Sequence, residues 1–184
     1  MKRFAIFAAA ALLTAGAPAS AQPDPVVTAA QGYELRLMGG GLASGRRGLH
    51  SYPVFQFGIS RTEALSRVAA LRGRANATGI GRSCGRVPLN FARFGTLTLW
   101  FRSNRWVGWS LAGPRGRRPI DTEYDLGIGT ERRHIDNMDD TPVIFRQTRR
   151  GYEFEAQGME GRLSGPGPRA RIVAIWSGDI CRTG

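Results

Sequence analysis

Lysine is nearly absent from this 184-residue chain: Lys2 is the only one, and every other of the 26 basic residues is arginine. The positive charge is therefore carried by planar guanidinium groups, which grip carboxylates and phosphates with two parallel donors where an ammonium cannot. GC-rich coding, which favours Arg together with Ala, Gly and Pro, produces the same exclusivity, and the residues do not separate the two readings. Cysteine is scarce as well, with only Cys84 and Cys181, which excludes a disulfide-dense scaffold and a four-thiolate zinc site. His50 and His134 are the only imidazoles, so a two-histidine zinc site lacks further ligands once the cysteines pair. No stretch approaches the roughly 18 consecutive apolar residues of a membrane-spanning helix. Acidic residues number only 14, leaving a formal net charge of +12.

What is present begins with a three-part leader. Lys2 and Arg3, the apolar run Phe4 to Leu13 and the small-residue site Ala19-Ser20-Ala21 read as a secretory signal peptide over residues 1–21. No cysteine follows that site, so nothing marks the chain for lipid attachment, and the expected location is periplasmic or secreted. Loss of Lys2 and Arg3 lowers the charge to +10. A surface of that sign associates with anionic lipid headgroups or acidic polymers in a salt-dependent way, giving peripheral membrane contact without a transmembrane segment. Nucleic acid is not an expected partner for an exported chain. In an oxidising compartment the two cysteines read as one disulfide, Cys84 to Cys181.

Residues 22–30 are Pro- and Ala-rich without periodicity and read as a flexible entry segment before one domain over 31–184. Tyr33 to Met38 alternates apolar and polar like a strand, and Gly39 to Gly48, with five glycines, reads as a loop. After Pro53 to Phe57, Ser60-Arg61-Thr62-Glu63 forms a capping box that predicts a helix over Arg61 to Arg72, with Leu65, Val68 and Ala69 on a buried stripe and Gly73 at the stop. A Gly- and Arg-rich loop carrying Cys84 follows. The period then changes to two: Leu97, Leu99 and Phe101 oppose Thr96, Thr98 and Trp100, and Ser103-Asn104 turns the chain into Trp106 to Leu111. Beyond the basic loop Gly113 to Arg118 come a short helix to about Met138 and strands near Val143 to Gln147, Tyr152 to Gln157, Gly161 to Ser164 and Arg171 to Trp176. Tyr152 and Phe154, alternating with Glu153 and Glu155, are expected in the core.

Two halves, about 53–113 and 122–181, echo each other. Phe57-Gly58-Ile59-Ser60 before the first helix matches Leu126-Gly127-Ile128-Gly129-Thr130 before the second, and Trp106-Val107-Gly108-Trp109-Ser110 matches Ile172-Val173-Ala174-Ile175-Trp176-Ser177-Gly178. The expected fold is α+β, with two short helices packed on one face of an antiparallel sheet. On these residues the chain resembles the tandem α/β repeat of β-lactamase-inhibitory protein and of small outer-membrane assembly lipoproteins. Through Asn90-Phe91-Ala92-Arg93-Phe94-Gly95-Thr96-Leu97-Thr98 with Val107-Gly108-Trp109-Ser110-Leu111 it is similar to uncharacterised exported alphaproteobacterial proteins. The first resemblance implies a domain that binds another protein through an exposed sheet face. The second implies no activity.

Enzyme signatures do not assemble. Gly79-Ile80-Gly81-Arg82-Ser83-Cys84-Gly85 has the wrong last spacing for a dinucleotide loop, and Gly127-Ile128-Gly129 lacks the third glycine. Gly108-Trp109-Ser110-Leu111-Ala112-Gly113 misses a nucleophile elbow by one residue, and Ser83-Cys84-Gly85-Arg86 has the wrong order for an L,D-transpeptidase. Asp136, Asp139 and Asp140 with Asn137 supply oxygen donors suited to calcium, but lack the EF-hand glycine and distant glutamate, so they read as a helix C-terminal turn. No metal or cofactor is expected. Trp100 falls on the face opposite Leu97, Leu99 and Phe101, and one of Trp106 and Trp109 is expected to point outward with it. An outward tryptophan beside Arg102 and Arg105 is a candidate hot spot. The expected function is a non-enzymatic binding module for an envelope protein or acidic envelope polymer. The alternative is a hydrolase of envelope polymers using an unidentified carboxylate pair.

Overall fold

The structure, a computed structural model, describes residues 33–46, 54–81, 87–115, 119–138 and 142–181. Alternation at its start produces β1 (Tyr33–Met38), with Leu35 and Leu37 buried. The glycine-rich stretch that follows is not a loop: β2 (Gly41–Arg46) pairs antiparallel with β1 from Met38↔Gly41 to Tyr33↔Arg46, and β3 (Val54–Gln56) pairs with β2. Glycine here serves close backbone approach, since a Cβ on Gly41 would run into the Phe55 carbonyl. β8 (Asp121–Thr122) adds parallel to β1 and completes a four-stranded sheet in the order β3-β2-β1-β8. This second sheet is absent from the sequence expectation of one sheet with two helices.

The predicted helix is present as α1 (Arg61–Arg72), and Ser60 caps it by accepting from the Glu63 amide at 3.2 Å. Only half of the capping box forms. Ser60 is bridged to Arg105, while the Glu63 carboxylate turns forward to accept from Arg67 at 2.7 Å. Four strands follow in meander: β4 (Ala77–Gly81), β5 (Leu89–Phe94), β6 (Leu97–Arg102) and β7 (Arg105–Ala112). Of these, β4 and β5 lie where a loop was expected. The β6–β7 turn is as predicted, with Ser103 and Asn104 at φ of 46° and 61°, the positive values that a tight hairpin requires of both central residues. A second short helix, α2 (Arg132–Asp136), precedes β9 (Ile144–Thr148), β10 (Gly151–Ala156), β11 (Met159–Leu163) and β12 (Ile172–Gly178). The eight strands make one antiparallel sheet in the order β4-β5-β6-β7-β12-β11-β10-β9. The molecule is thus mostly antiparallel sheet with two short helices among the described residues.

One buried cluster gathers Leu37, Leu42 and Phe55 from the small sheet, Leu97, Leu99, Phe101 and Leu111 from the large one, Ala64 and Val68 of α1 and Ile135 of α2. Trp106 and Trp109 both join it at 0% exposure, against the expectation that one faces outward. The register explains this: Trp100 pairs with Gly108 but Phe101 pairs with Trp106, so Val107 is an extra residue in β7, and this bulge returns Trp106 to the same side as Trp109. Trp109 also ties the two sheets together, because its Nε1 donates to the Met38 carbonyl at 3.0 Å. Buried Ser177 adds a second tie, sharing its hydroxyl between the Gly158 carbonyl at 2.9 Å and that of Gly39.

Removing the indole leaves a void and takes away the donor to the Met38 carbonyl. Trp109→Ala is expected to lower the unfolding free energy by about 3–5 kcal/mol and Trp109→Phe by about 1–3 kcal/mol, read from urea midpoints at constant slope.

Candidate binding face

Pairing registers fix which residues share the side of the large sheet turned away from the main cluster. One row crosses all eight strands: Ala77, Arg93, Thr98, Ser110, Trp176, Glu160, Glu155 and Ile144. The neighbouring row reads Gly79, Phe91, Trp100, Gly108 and Gly178. Trp100 therefore lies on the face the alternation assigned to it. It is nevertheless only 9% exposed, in a small second cluster with Leu89 and Cys181, against which Phe91, Val107 and Ile180 pack. Its Nε1 donates to Ser110 Oγ at 2.9 Å. Trp100 is thus a sealed floor and not an open platform. Its cover is the chain end: the Asp179 amide donates to the Val107 carbonyl at 2.8 Å, which leads Ile180 and Cys181 across the ring.

Arg102 and Arg105 stand directly opposite each other beside the β6–β7 turn, an arrangement in which like charges repel. Both are exposed. The repulsion is relieved by an ion pair from Arg102 to Asp179 and by donation from Arg105 to the Gly58 carbonyl at 2.9 Å. The sequence reading missed Phe91 and Arg93 as members of this face. The Arg93 guanidinium sits 5.7 Å from the Phe91 ring centroid, and that ring is tilted 5.8 Å from the ring of Trp100. The signal was there in the i, i+2 spacing of Leu89, Phe91 and Arg93, but the surrounding glycines and arginines concealed the strand.

Across β9 to β11 the same face is charged in both signs and largely self-neutralised. Arg146 meets Glu155 at 3.3 Å and Arg150 meets Glu153 at 3.2 Å. Arg93, by contrast, makes no ion pair among the described residues and is exposed. The face therefore grades from an arginine and aromatic end to an ion-paired end.

Other candidates are accounted for locally. Asp136 pairs with Arg132 at 3.5 Å, and Asp139 and Asp140 lie outside the described residues. His134 is exposed on α2, and His50 lies outside the described residues. Thr130 does not cap α2, as the sequence match implied. Its hydroxyl accepts from the Gly127 amide at 3.0 Å, and Glu131 holds the cap position. Cys181 is buried and no cysteine is free among the described residues, but Cys84 falls outside them. Comparison with known protein families, with curated proteins and with solved structures finds no match.

At the small sheet one guanidinium holds two carboxylates: Arg36 donates to Glu34 at 3.1 Å and pairs with Asp125. Beside them Asp121 has its carboxyl raised above the ordinary aspartate range, because burial disfavours the charged form more than Arg115 and Arg36 favour it. A raised carboxyl stabilises the fold fully below its unfolded value, and that contribution is lost as pH rises through the folded value. Asp121→Asn is accordingly expected to raise the melting temperature at neutral pH, with the gain vanishing by about pH 3, below the ordinary aspartate range. A gain independent of pH contradicts this assignment.

Proposed function

We propose that the protein is an exported, non-enzymatic binding module whose outer sheet face takes an anionic envelope partner, either a protein or an acidic polymer. The observation that carries this reading is the arginine and aromatic part of that face, where Arg93 is exposed on Phe91 with no carboxylate partner among the described residues and Arg102 and Arg105 are exposed at the far end of β6 and β7. The leader over residues 1–21 supports export to the periplasm or beyond, and the charge of the remainder supports peripheral attraction to anionic surfaces. Binding is favoured over hydrolysis because Glu34, Asp125, Glu131, Glu153 and Glu155 each meet an arginine instead of converging on open space.

We also read the domain as two halves, each a helix on the inner face of its own four-stranded meander. Matching backbone hydrogen bonds support this. Gly58 donates to Trp106, Trp106 to Ile59 and Arg61 to Asn104, just as Gly129 donates to Ile172, Ile172 to Thr130 and Arg132 to Ala170. These bonds align Ser60 with Glu131 and Trp106 with Ile172. Counting on from that pair sets Trp109 against Ile175, and both belong to the main cluster, while Trp176 lies in the outer row.

The Cys84 to Cys181 disulfide belongs to this reading, supported by the place of Cys181 in one small buried cluster with Leu89, five positions beyond Cys84. Intact mass should rise by two hydrogens on reduction, and replacing both cysteines by serine should cost about 2–5 kcal/mol of stability. An unchanged mass removes the bond.

Binding itself is tested by calorimetry of residues 22–184 with dextran sulfate. Affinity should fall steeply between low salt and about 0.5 M salt, and Arg93→Ala with Arg105→Ala should weaken it about tenfold, or about 1.4 kcal/mol. Affinity indifferent to salt and to both substitutions overturns the proposal.

A further inference from the structure

The last described residues of the chain lie across the outer face as a strap. Gly178 turns the chain out of β12 at a φ of 74°, a left-handed value open to glycine, and a Cβ there would run into the Val107 carbonyl. The strap then passes over Gly108, because a Cβ on that glycine, in the row that holds Trp100, would meet the Asp179 backbone. From there Cys181 joins the small cluster with Trp100 and Leu89, and Ile180 packs against it. Asp179 reaches the Arg102 guanidinium, and the two side chains stay 44% and 43% exposed. The strap thus sets an acid on an arginine and apolar residues in an aromatic cluster, the two features through which the outer face is proposed to take a partner.

The cluster does not need the strap for its own polar bonding. Trp100 Nε1 donates to Ser110 Oγ at 2.9 Å within the sheet, so lifting the strap leaves that donor satisfied. The strap is held at its start by the bond from the Asp179 amide to the Val107 carbonyl at 2.8 Å and by a half-exposed ion pair of a kind that contributes little. Lifting it takes Ile180 and Cys181 out of the cluster, leaves the Phe91 ring 5.8 Å from that of Trp100, and frees Arg102 of its carboxylate. We infer that this floor is a binding site for an extended segment of another protein carrying a carboxylate followed by an aliphatic residue, and that Asp179, Ile180 and Cys181 occupy it as a built-in competitor. This rests on the outer-face reading above and narrows its partner to a protein segment. The occupant selects that chemistry, since an acidic polymer offers a carboxylate to Arg102 but no aliphatic side chain to the cluster. Tethering gives the strap an effective concentration on the order of millimolar, and the Cys84 to Cys181 bond proposed above adds to its advantage. An outside segment therefore gains access when the strap is loosened.

The test uses residues 22–184 and a synthetic peptide, Ser-Gly-Asp-Ile-Ser-Arg, which copies positions 177–182 with Ser in place of Cys181. Asp179→Asn with Cys181→Ser loosens the strap, and calorimetry should find the peptide bound about tenfold more tightly by this double variant than by the unsubstituted chain. Adding Arg102→Glu should abolish that gain, and a peptide with Lys in place of Asp should restore it. A double variant that melts cooperatively yet takes the peptide no more tightly, or charge reversal without rescue, overturns the site. If the double variant does not fold, amide hydrogen exchange in the unsubstituted chain under excess dithiothreitol decides. Peptide should then speed exchange at Asp179, whose bond to Val107 is lost as the strap lifts, and leave Leu99 unchanged. Exchange at Asp179 indifferent to peptide at about millimolar concentration overturns the site. If the peptide fails while dextran sulfate still binds through Arg93 and Arg105, the strap is a fixed part of the fold and the outer-face reading survives. If neither binds, both fall.

Discussion

The antiparallel pairing of β7 with β12 is the constraint on which the other features depend. Five consecutive pairs, from Gly108↔Gly178 to Ala112↔Ala174, join two four-stranded meanders into one sheet. At one end of this seam both partners are glycine. A Cβ on Gly178 would stand 2.9 Å from the Gly108 Cα, and one on Gly108 would stand 2.8 Å from the Asp179 nitrogen. With no side chains there, the backbones close up, the chain leaves β12 against Val107, and its last described residues fold over Trp100. Ser177 and Trp109, paired with each other in the same seam, reach the β1–β2 turn and the end of β1 in the smaller sheet. A single ladder thus sets the width of the large sheet, the seal on its outer floor and its junction with the small sheet.

Inserted residues sharpen the difference between the two faces of the large sheet: Val107 in β7, and Val173 in β12, where Ala174 pairs with Arg162 but Ile172 with Leu163. Without the Val107 bulge, Trp106 and Trp109 would alternate sides. With it, both enrich the inner cluster, and the outer side keeps mainly small, charged and hydroxyl-bearing residues around a sealed aromatic floor. With Trp100 sealed, the exposed side chains of this part of the face include Arg93 and Arg102.

Much of the fold is legible in the sequence wherever period and punctuation agree. Leu97 to Leu111 alternates around Ser103-Asn104, and Ser60 with Glu63 announces α1, so both appear where expected. Legibility fails where glycine carries two meanings. Gly41, Gly45, Gly79 and Gly81 read as loop formers, yet they sit in strands, where Gly41 and Gly79 admit a neighbouring carbonyl or ring. The bulge at Val107 has no local signature, because the extra residue is defined by its partner strand. The sealing of Trp100 was equally hidden, since its cover arrives from residues about eighty positions later. The site was legible as a face, through Trp100, Arg102 and Arg105, and illegible as a surface, because pairing register decides which of them remain open.

Strand order also carries a consequence for folding. Strand β12, beside the middle of the large sheet, is the last of its eight strands along the sequence, so a chain lacking Ile172 to Gly178 holds two separate sets of strands with no ladder between them and bare backbone along β7. Closure of the sheet therefore waits on one segment, and until it docks the inner edge of each set is open to unintended pairing.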